Sequence, residues 1–277
     1  MKSHVTNLAI HPSAKHLIDS YVAHPSQGLL LSGPVGIGTA TVAQSLATAL
    51  HARPDDIHWI RPDDKQTISI DVIRPLYRLS RTVYDSPRVI IIDDAESMGS
   101  PAQNALLKLL EEPTEQTYFI LTSHEPQLLL TTITSRVQRI ELRPVNEVLS
   151  KQLLTKQGTD PAAQTKMLFM AQGLPAELTR LSADGEYFAA QAVIVTTART
   201  LLQSGQYDRL VAIRDIKTRP QALELVTMIG QLLEFSILRQ KRTDLADALD
   251  VIETVNARLY ANGNVKIQLT YLVSRLP

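Results

Sequence analysis

The sequence predicts an α/β fold, a doubly wound parallel sheet of five strands, followed by an all-α C-terminal part. Three observations predict it. Short apolar runs alternate with helical patterns as far as about residue 142, the order that successive βαβ units produce. The run RVIIIDD at 88–94 sets four β-branched residues in a row before two carboxylates, as a strand buried on both faces would. After RPVNEV at 143–148 strand signals mostly cease, and helical segments punctuated by Gly and Pro take over.

The elements follow in order. Leu29–Leu31 is a short buried strand, and a Gly-rich turn leads from it into the helix TATVAQSLATAL at 39–50. DIHWI at 56–60 is the second strand, set between Pro54 and Pro62. ISIDVIRPLYRLSRTV at 68–83 starts extended and becomes helical, with Asp71 as its N-cap. RVIIIDD is the third strand. SPAQNALLKLLEEP at 100–113 then reads as a helix with Ser100 at the N-cap, Pro101 at the first helical position and Gln103 completing a capping box. Leu106, Leu107, Leu109 and Leu110 form its buried stripe, and Pro113 stops it. TYFILTS at 117–123 and RVQRIEL at 136–142 complete the sheet. The expected divisions are a nucleotide-binding-like core over 1–144, a small helical domain over 145–184, and long amphipathic helices over 185–277. In the last of these QALELVTMIGQLLEFSILRQKR, at 221–242, carries more apolar residues than a lone helix needs. Its stripe packs either within the chain or against neighbouring subunits.

Composition narrows the function classes. The 277 residues hold 28 Lys+Arg against 28 Asp+Glu, so no global basic field grips nucleic acid, although a local patch remains open. Cysteine is absent, which removes disulfides, thiol chemistry and cysteine-ligated zinc. The seven His are scattered without metal-ligand spacing, and no metal site is expected. The N-terminus lacks the apolar core of a signal peptide, and no run approaches the roughly 18 apolar residues of a membrane span. A cytoplasmic protein is expected.

The chemistry centres on LLLSGPVGIGTATVAQ at 29–44. A phosphate loop reads G-x-x-x-x-G-K-[ST], and Gly33 and Gly38 stand at that spacing with Gly36 between them. In such loops glycines let backbone N–H groups approach an anion, Lys neutralises the β- and γ-phosphates, and the Ser/Thr hydroxyl ligates magnesium. Here Thr39 has no charge and Ala40 no oxygen, and Thr41 is displaced by about 100° around the helix. At the end of the third strand stand Asp93 and Asp94, where Asp-Glu would organise magnesium and polarise water. Asp93 could serve a metal, whereas Asp94 is one methylene short of the usual base. Both elements fit a nucleotide site that has fallen silent.

The block RVIIIDDAESMGSPAQNALLKLLEEPTEQTYFILTSHEPQLLLTTITSRVQRIEL closely resembles the core of bacterial clamp-loader AAA+ subunits. In that family D-E-A-x-x-M, N-A-L-L-K-x-L-E-E-P, F-I-L-x-T and T-I-x-S-R-C follow an apolar strand in this order. The likeness extends to the spacing around Pro54–Ile60 and to NARLYANGNVKIQLTYLVSRL at 256–276, similar to the family's closing N-x-N-x-K-x-x-L helix. It implies a AAA+ core, a helical lid and a helical collar. Within the family the degenerate loop with an intact Ser135-Arg136 resembles delta-prime rather than the gamma/tau motors. The resemblance implies that Arg136, with Ser135, serves as an arginine finger in trans to a neighbour's ATP-Mg. No cofactor would be tightly bound by this chain. It also implies a heteropentamer with delta and gamma/tau within the DNA polymerase III holoenzyme, acting on the sliding clamp at primer-template DNA. Ser123 stands at the first-sensor position and Pro175 near the second sensor's arginine. Val137 replaces the family's Cys, and the family's four-cysteine zinc module is absent. Arg74, Arg78 and Arg81, at near-helical spacing, read as solvated surface. Two alternatives stay open: an active AAA+ NTPase with an atypical loop, and a pure assembly scaffold.

Overall fold

The structure is a computed structural model and describes residues 8–79, 86–111, 115–240 and 245–276. The chain divides into two compact units, residues 1–183 and 184–277. In the first unit the elements run α1 (Pro12–Ala23), β1 (Gly28–Ser32), α2 (Thr39–Ala49), β2 (Ile57–Ile60), α3 (Ile70–Ile73), α4 (Leu76–Leu79) and β3 (Arg88–Ile92). They continue as α5 (Ser100–Glu111), β4 (Thr117–Ser123), α6 (Thr131–Thr134), β5 (Gln138–Glu141), α7 (Glu147–Lys156), α8 (Pro161–Ala171) and α9 (Pro175–Ala183).

The five strands form one parallel sheet in the order β2-β3-β4-β1-β5. The three inner strands are apolar because both of their faces are covered. Alternate side chains sort to opposite cores: Leu29, Leu31, Ile91 and Ile120 join the α1 and α2 side, whereas Leu30, Ile90, Ile92 and Phe119 join the α5 side. The edge strand β5 instead alternates Gln138, Arg139 and Glu141 around the buried Ile140, which discourages further pairing. Because β1 lies between β4 and β5, the loop after it opens at the carboxyl edge where the strand order reverses, the usual ligand position in open α/β sheets.

Two local expectations are corrected. Helix α5 begins at Ser100, not after it: the Gly99 carbonyl accepts from Ala102 and Gln103 N–H at 2.9 and 3.1 Å. Gln103 is therefore no capping-box residue. It is buried, its Nε2 donates to the Met98 carbonyl (3.0 Å) and its Oε1 accepts from Leu130 N–H (2.7 Å). Asp71 lies inside α3 rather than capping it; Ser69 holds the cap position, and Asp71 faces Arg74 at 3.9 Å. Leu106 and Leu109 are fully buried, with Leu107 and Leu110 partly so against the same core. Pro113, Arg81 and the side chain of Arg78 lie outside the described residues.

The second unit is helical: α10 (Gly185–Gln203), α11 (Gln206–Ala212), α12 (Arg219–Gln240), α13 (Ala246–Tyr260) and α14 (Val265–Arg275). The apolar stripe of α12 is largely consumed inside this unit, where Leu225, Val226, Ile229 and Leu233 are fully buried. Gln191 of α10 hydrogen-bonds Glu224 of α12, and Arg209 Nη1 donates to the Leu276 carbonyl at 2.9 Å. No helix among the described residues is long and apolar enough to cross a membrane.

Candidate functional sites

The loop from Gly33 to Gly38 joins β1 to α2 and is shaped by its glycines whatever binds there. Gly36 and Gly38 have φ of 85° and 96°, a region L side chains avoid. A methyl on Gly33 would stand 2.7 Å from the Leu142 carbonyl oxygen. Gly33 N–H donates to the Ser123 carbonyl at 3.2 Å, tying the loop to β4. Thr39, in the place of the phosphate-loop Lys, is 3% exposed. Ala40 is half-buried beside it. Thr41, displaced along the helix, lines a cavity of about 360 Å³ together with Ile37, Val42, Leu142 and Arg180. That lining is mostly apolar.

Helix α9 packs against the loop. Pro175, first residue of α9, has no N–H, and the next two residues, Ala176 and Glu177, both donate to the Gly36 carbonyl at 3.0 Å. The loop's own oxygen thus fills the anion-seeking N-terminus of α9. Contact is close: the Ala176 methyl would be 3.4 Å from a Cβ on Gly38, and Glu177 Cβ 3.2 Å from one on Gly36. Pro175, expected near the second-sensor arginine, thus stands at the foot of this clasp and offers the loop no cation.

The strand-end carboxylates are engaged within the chain. Thr122 Oγ1 donates to Asp93 Oδ1 at 2.7 Å and accepts from Asp94 N–H at 3.1 Å. Arg61 Nε approaches Asp93 Oδ2 at 3.5 Å while its guanidinium lies over the Trp59 ring at 4.2 Å. Asp94 adopts a left-handed backbone, φ 49°. Sequence reasoning passed over His124, which bridges both halves of this region. Its Nδ1 lies 2.7 Å from the Gly33 carbonyl, so that nitrogen carries the hydrogen, and Nε2 faces Asp94 Oδ1 at 3.6 Å. Glu96 Oε1 fixes its backbone by accepting from His124 N–H at 2.8 Å. The available signal was its position, directly after β4 at the carboxyl edge. Ser123, the expected first-sensor residue, is fully buried, and its hydroxyl has no hydrogen-bond partner among the described residues. Among the described residues no group of three or more His, Asp or Glu is arranged to hold a metal ion.

Burial, followed by the neighbouring Asp93, raises the Asp94 pKa, with His124 opposing. A carboxyl whose folded pKa is raised adds stability below its unfolded value and loses it as pH climbs through the folded one. Asp94→Asn keeps a residue tolerant of left-handed backbone. Its melting temperature at neutral pH is expected to equal or exceed the parent's, with the advantage vanishing below the ordinary carboxylate range. A thermal-melt series from pH 3 to 8 checks this; a uniform loss of stability would contradict it.

Arg136 follows α6 and precedes β5. Its Nη2 pairs with Glu111 Oε1 at 2.9 Å, its Nη1 donates to the Thr132 carbonyl at 3.1 Å, and the side chain is 39% exposed. Ser135, exposed, donates its hydroxyl to the same carbonyl at 3.1 Å. The segment beneath is braced by Gln103 at Leu130 and by Arg139, whose Nε and Nη2 donate to the Thr134 carbonyl at 3.0 and 2.8 Å. Val137 is buried. Arg136 stands at the amino-terminal edge of the sheet, whereas the phosphate loop, Asp93 and Asp94 stand at the carboxyl edge. Leu29 to Ser32 pair with Gln138 to Glu141, so about 13 Å of strand separates the two edges. The structure brings the loop, both carboxylates and Ser123 together and keeps Ser135 and Arg136 apart from them.

Residues 51–146 match the family model described as DNA polymerase III, delta subunit. The chain is 30% identical over 149 residues to the DNA polymerase III subunit delta' of Bacillus subtilis, covering 53% of this chain and 45% of that protein. It is 26% identical over 224 residues to the subunit delta' of Escherichia coli, covering 78% of this chain and 66% of that one. The chain spans about half the length of the curated relatives it matches. A solved structure from Thermotoga maritima, a DNA polymerase III gamma subunit-related protein, superposes with a TM-score of 0.60 at 20% identity, covering 94% of this chain and 97% of that one. The fold is thus that of the AAA+ proteins, and in sequence the chain resembles the delta-prime-type clamp-loader subunits of bacterial DNA polymerase III.

Proposed function

We propose that the chain is a non-hydrolysing, delta-prime-type member of a clamp loader that completes a neighbouring subunit's ATP-Mg site with Arg136. The observation that carries the reading is the separation of the two edges. An arginine side chain cannot span the sheet from the start of β5 to the loop after β1, so any nucleotide Arg136 serves belongs to another chain. Its guanidinium is half exposed, its backbone is braced, and an exposed ion pair with Glu111 and a hydrogen bond to the Thr132 carbonyl must yield before it reaches outward. Such a pair is worth about 0–1 kcal/mol. An arginine delivered in trans stabilises charge developing on the γ-phosphate oxygens, with Ser135 at the turn that presents it.

The chain's own loop supports the complementary half. The loop lacks the Lys that would neutralise a triphosphate, and the lid-side helix end of α9 is already satisfied by the Gly36 carbonyl. Partners in this reading are delta and gamma/tau subunits, the sliding clamp, and primer-template DNA met through the assembly.

Calorimetric titration of the purified chain with ATP and magnesium tests the silent site. No binding is expected at millimolar nucleotide. The double variant Thr39→Lys with Ala40→Ser is also expected to stay inert, because the lid clasp remains. Micromolar affinity in the parent chain, with turnover, would identify a motor instead.

A further inference from the structure

The second unit holds a basic concavity that the Arg136 reading does not use. It encloses about 530 Å³, and Arg214, Lys217, Arg219 and Lys266 line it with Asn262 and Asn264. In a chain of zero net charge, four cations converge here. Asp215, next in sequence to Arg214, pairs with it at 3.2 Å in an exposed pair. Its hydrogen bond to Arg214, helped by Lys217, holds it below the usual carboxylate range. Arg219 Nε is buried and has no hydrogen-bond partner among the described residues.

The scaffold around these cations is well defined. Asn262 adopts φ 64°, and a methyl on Gly263 would stand 2.6 Å from the Arg258 carbonyl oxygen, so the turn between α13 and α14 admits little variation. Asn264 caps α14, accepting from Ile267 N–H at 3.1 Å. The first turns of α12 and α14 both begin at the concavity, adding the positive ends of two helix dipoles. The N-G-N-V-K run at 262–266 thus places its two Asn and its Lys on one surface.

We propose that this concavity binds the sugar-phosphate backbone of a nucleic-acid strand without reading its bases. Ammonium, guanidinium, amide and helix N–H groups are hydrogen-bond donors suited to phosphate oxygens. No aromatic residue lines the site, so the base stacking that single-strand readers use has no platform here. An acidic protein partner fits less well, since protein interfaces are usually anchored by aromatic and apolar side chains, and here only Ile216 and Val265 are large and apolar.

The test uses the full chain, labelled single-stranded oligonucleotides of two unrelated sequences, and fluorescence anisotropy over a range of salt. Lys217→Glu with Lys266→Glu, both exposed, is expected to weaken binding about tenfold or more. It should also flatten the log-log salt dependence by about 1.4, two contacts at about 0.7 each. Lys15→Glu with Lys151→Glu, exposed cations of the first unit, serves as control and is expected to change binding much less. Equal affinity for both sequences supports the proposal. Absence of binding by the parent chain at low salt, equal losses in both double variants, or tighter binding of polyglutamate than of oligonucleotide would overturn it. If the charge-reversed variant melts early, Lys217→Ala with Lys266→Ala reads the same salt slope. Arg136 is untouched in every variant, so this result is independent of the trans-arginine proposal.

Discussion

Arg136→Ala is expected to leave the chain folded and able to assemble while the DNA-stimulated ATPase of a reconstituted loader falls by about 10³-fold or more at the site that Arg136 completes. An arginine supplied in trans is worth about 10³–10⁵ in rate. The folding cost should be small, because the side chain is 39% exposed and its partner Glu111 46%, and such pairs contribute about 0–1 kcal/mol. Arg136→Lys should not restore the rate, since a point charge lacks the planar fork that meets two phosphate oxygens. The decisive comparison is single-site turnover, with assembly checked by size-exclusion chromatography. Normal assembly with unchanged turnover would show that the residue has no role in hydrolysis and would favour the scaffold.

Gly173→Ala is expected to destabilise the first unit by about 2–5 kcal/mol. Gly173 joins α8 to α9, and its carbonyl accepts from Val145 N–H at 2.8 Å. Its φ is 81°, and a methyl there would stand 2.3 Å from the Val145 carbonyl oxygen. The left-handed backbone costs an L residue about 1–2 kcal/mol, and forced overpacking about 1–3 kcal/mol more. The Val145 oxygen is backbone and the new Cβ is fixed by the backbone at 173, so side-chain rotation cannot relieve the clash. Chemical denaturation of the full chain measures the loss, and limited proteolysis should locate it near residues 145–175. A change below about 0.5 kcal/mol, the range of ordinary surface substitutions, would mean that the turn relaxes.

What the sequence showed best was what local pattern controls. The β-branched run of β3 and the Leu stripe of α5 were readable because each is a period written in consecutive residues. The spacing of Gly33 and Gly38 and the loss of Lys at position 39 were equally plain. Contacts between distant residues were not. Gln103 matched a capping box by spacing, yet tertiary packing assigned it to the Met98 and Leu130 backbone. Asp71 resembled a cap but sits two residues too deep. His124 carried no motif, and only the parallel pairing of β1 with β4 brings it to Gly33. The clasp between Gly36 and α9 spans some 140 positions of chain, a distance over which no periodicity carries information. The stripe of α12 left two occupants open, and the fold fills most of it from within its own unit.

The carbonyl of Gly36 at the head of α9 has a further consequence. A lid that closes on a ligand reports how much of that ligand surrounds it, so its shape follows the ratio of fresh to spent nucleotide in the cell. Here the chain itself supplies the oxygen that closes the lid, at 3.0 Å from two N–H groups. The clasp between loop and helix is therefore built from the chain's own backbone and forms with no nucleotide between them.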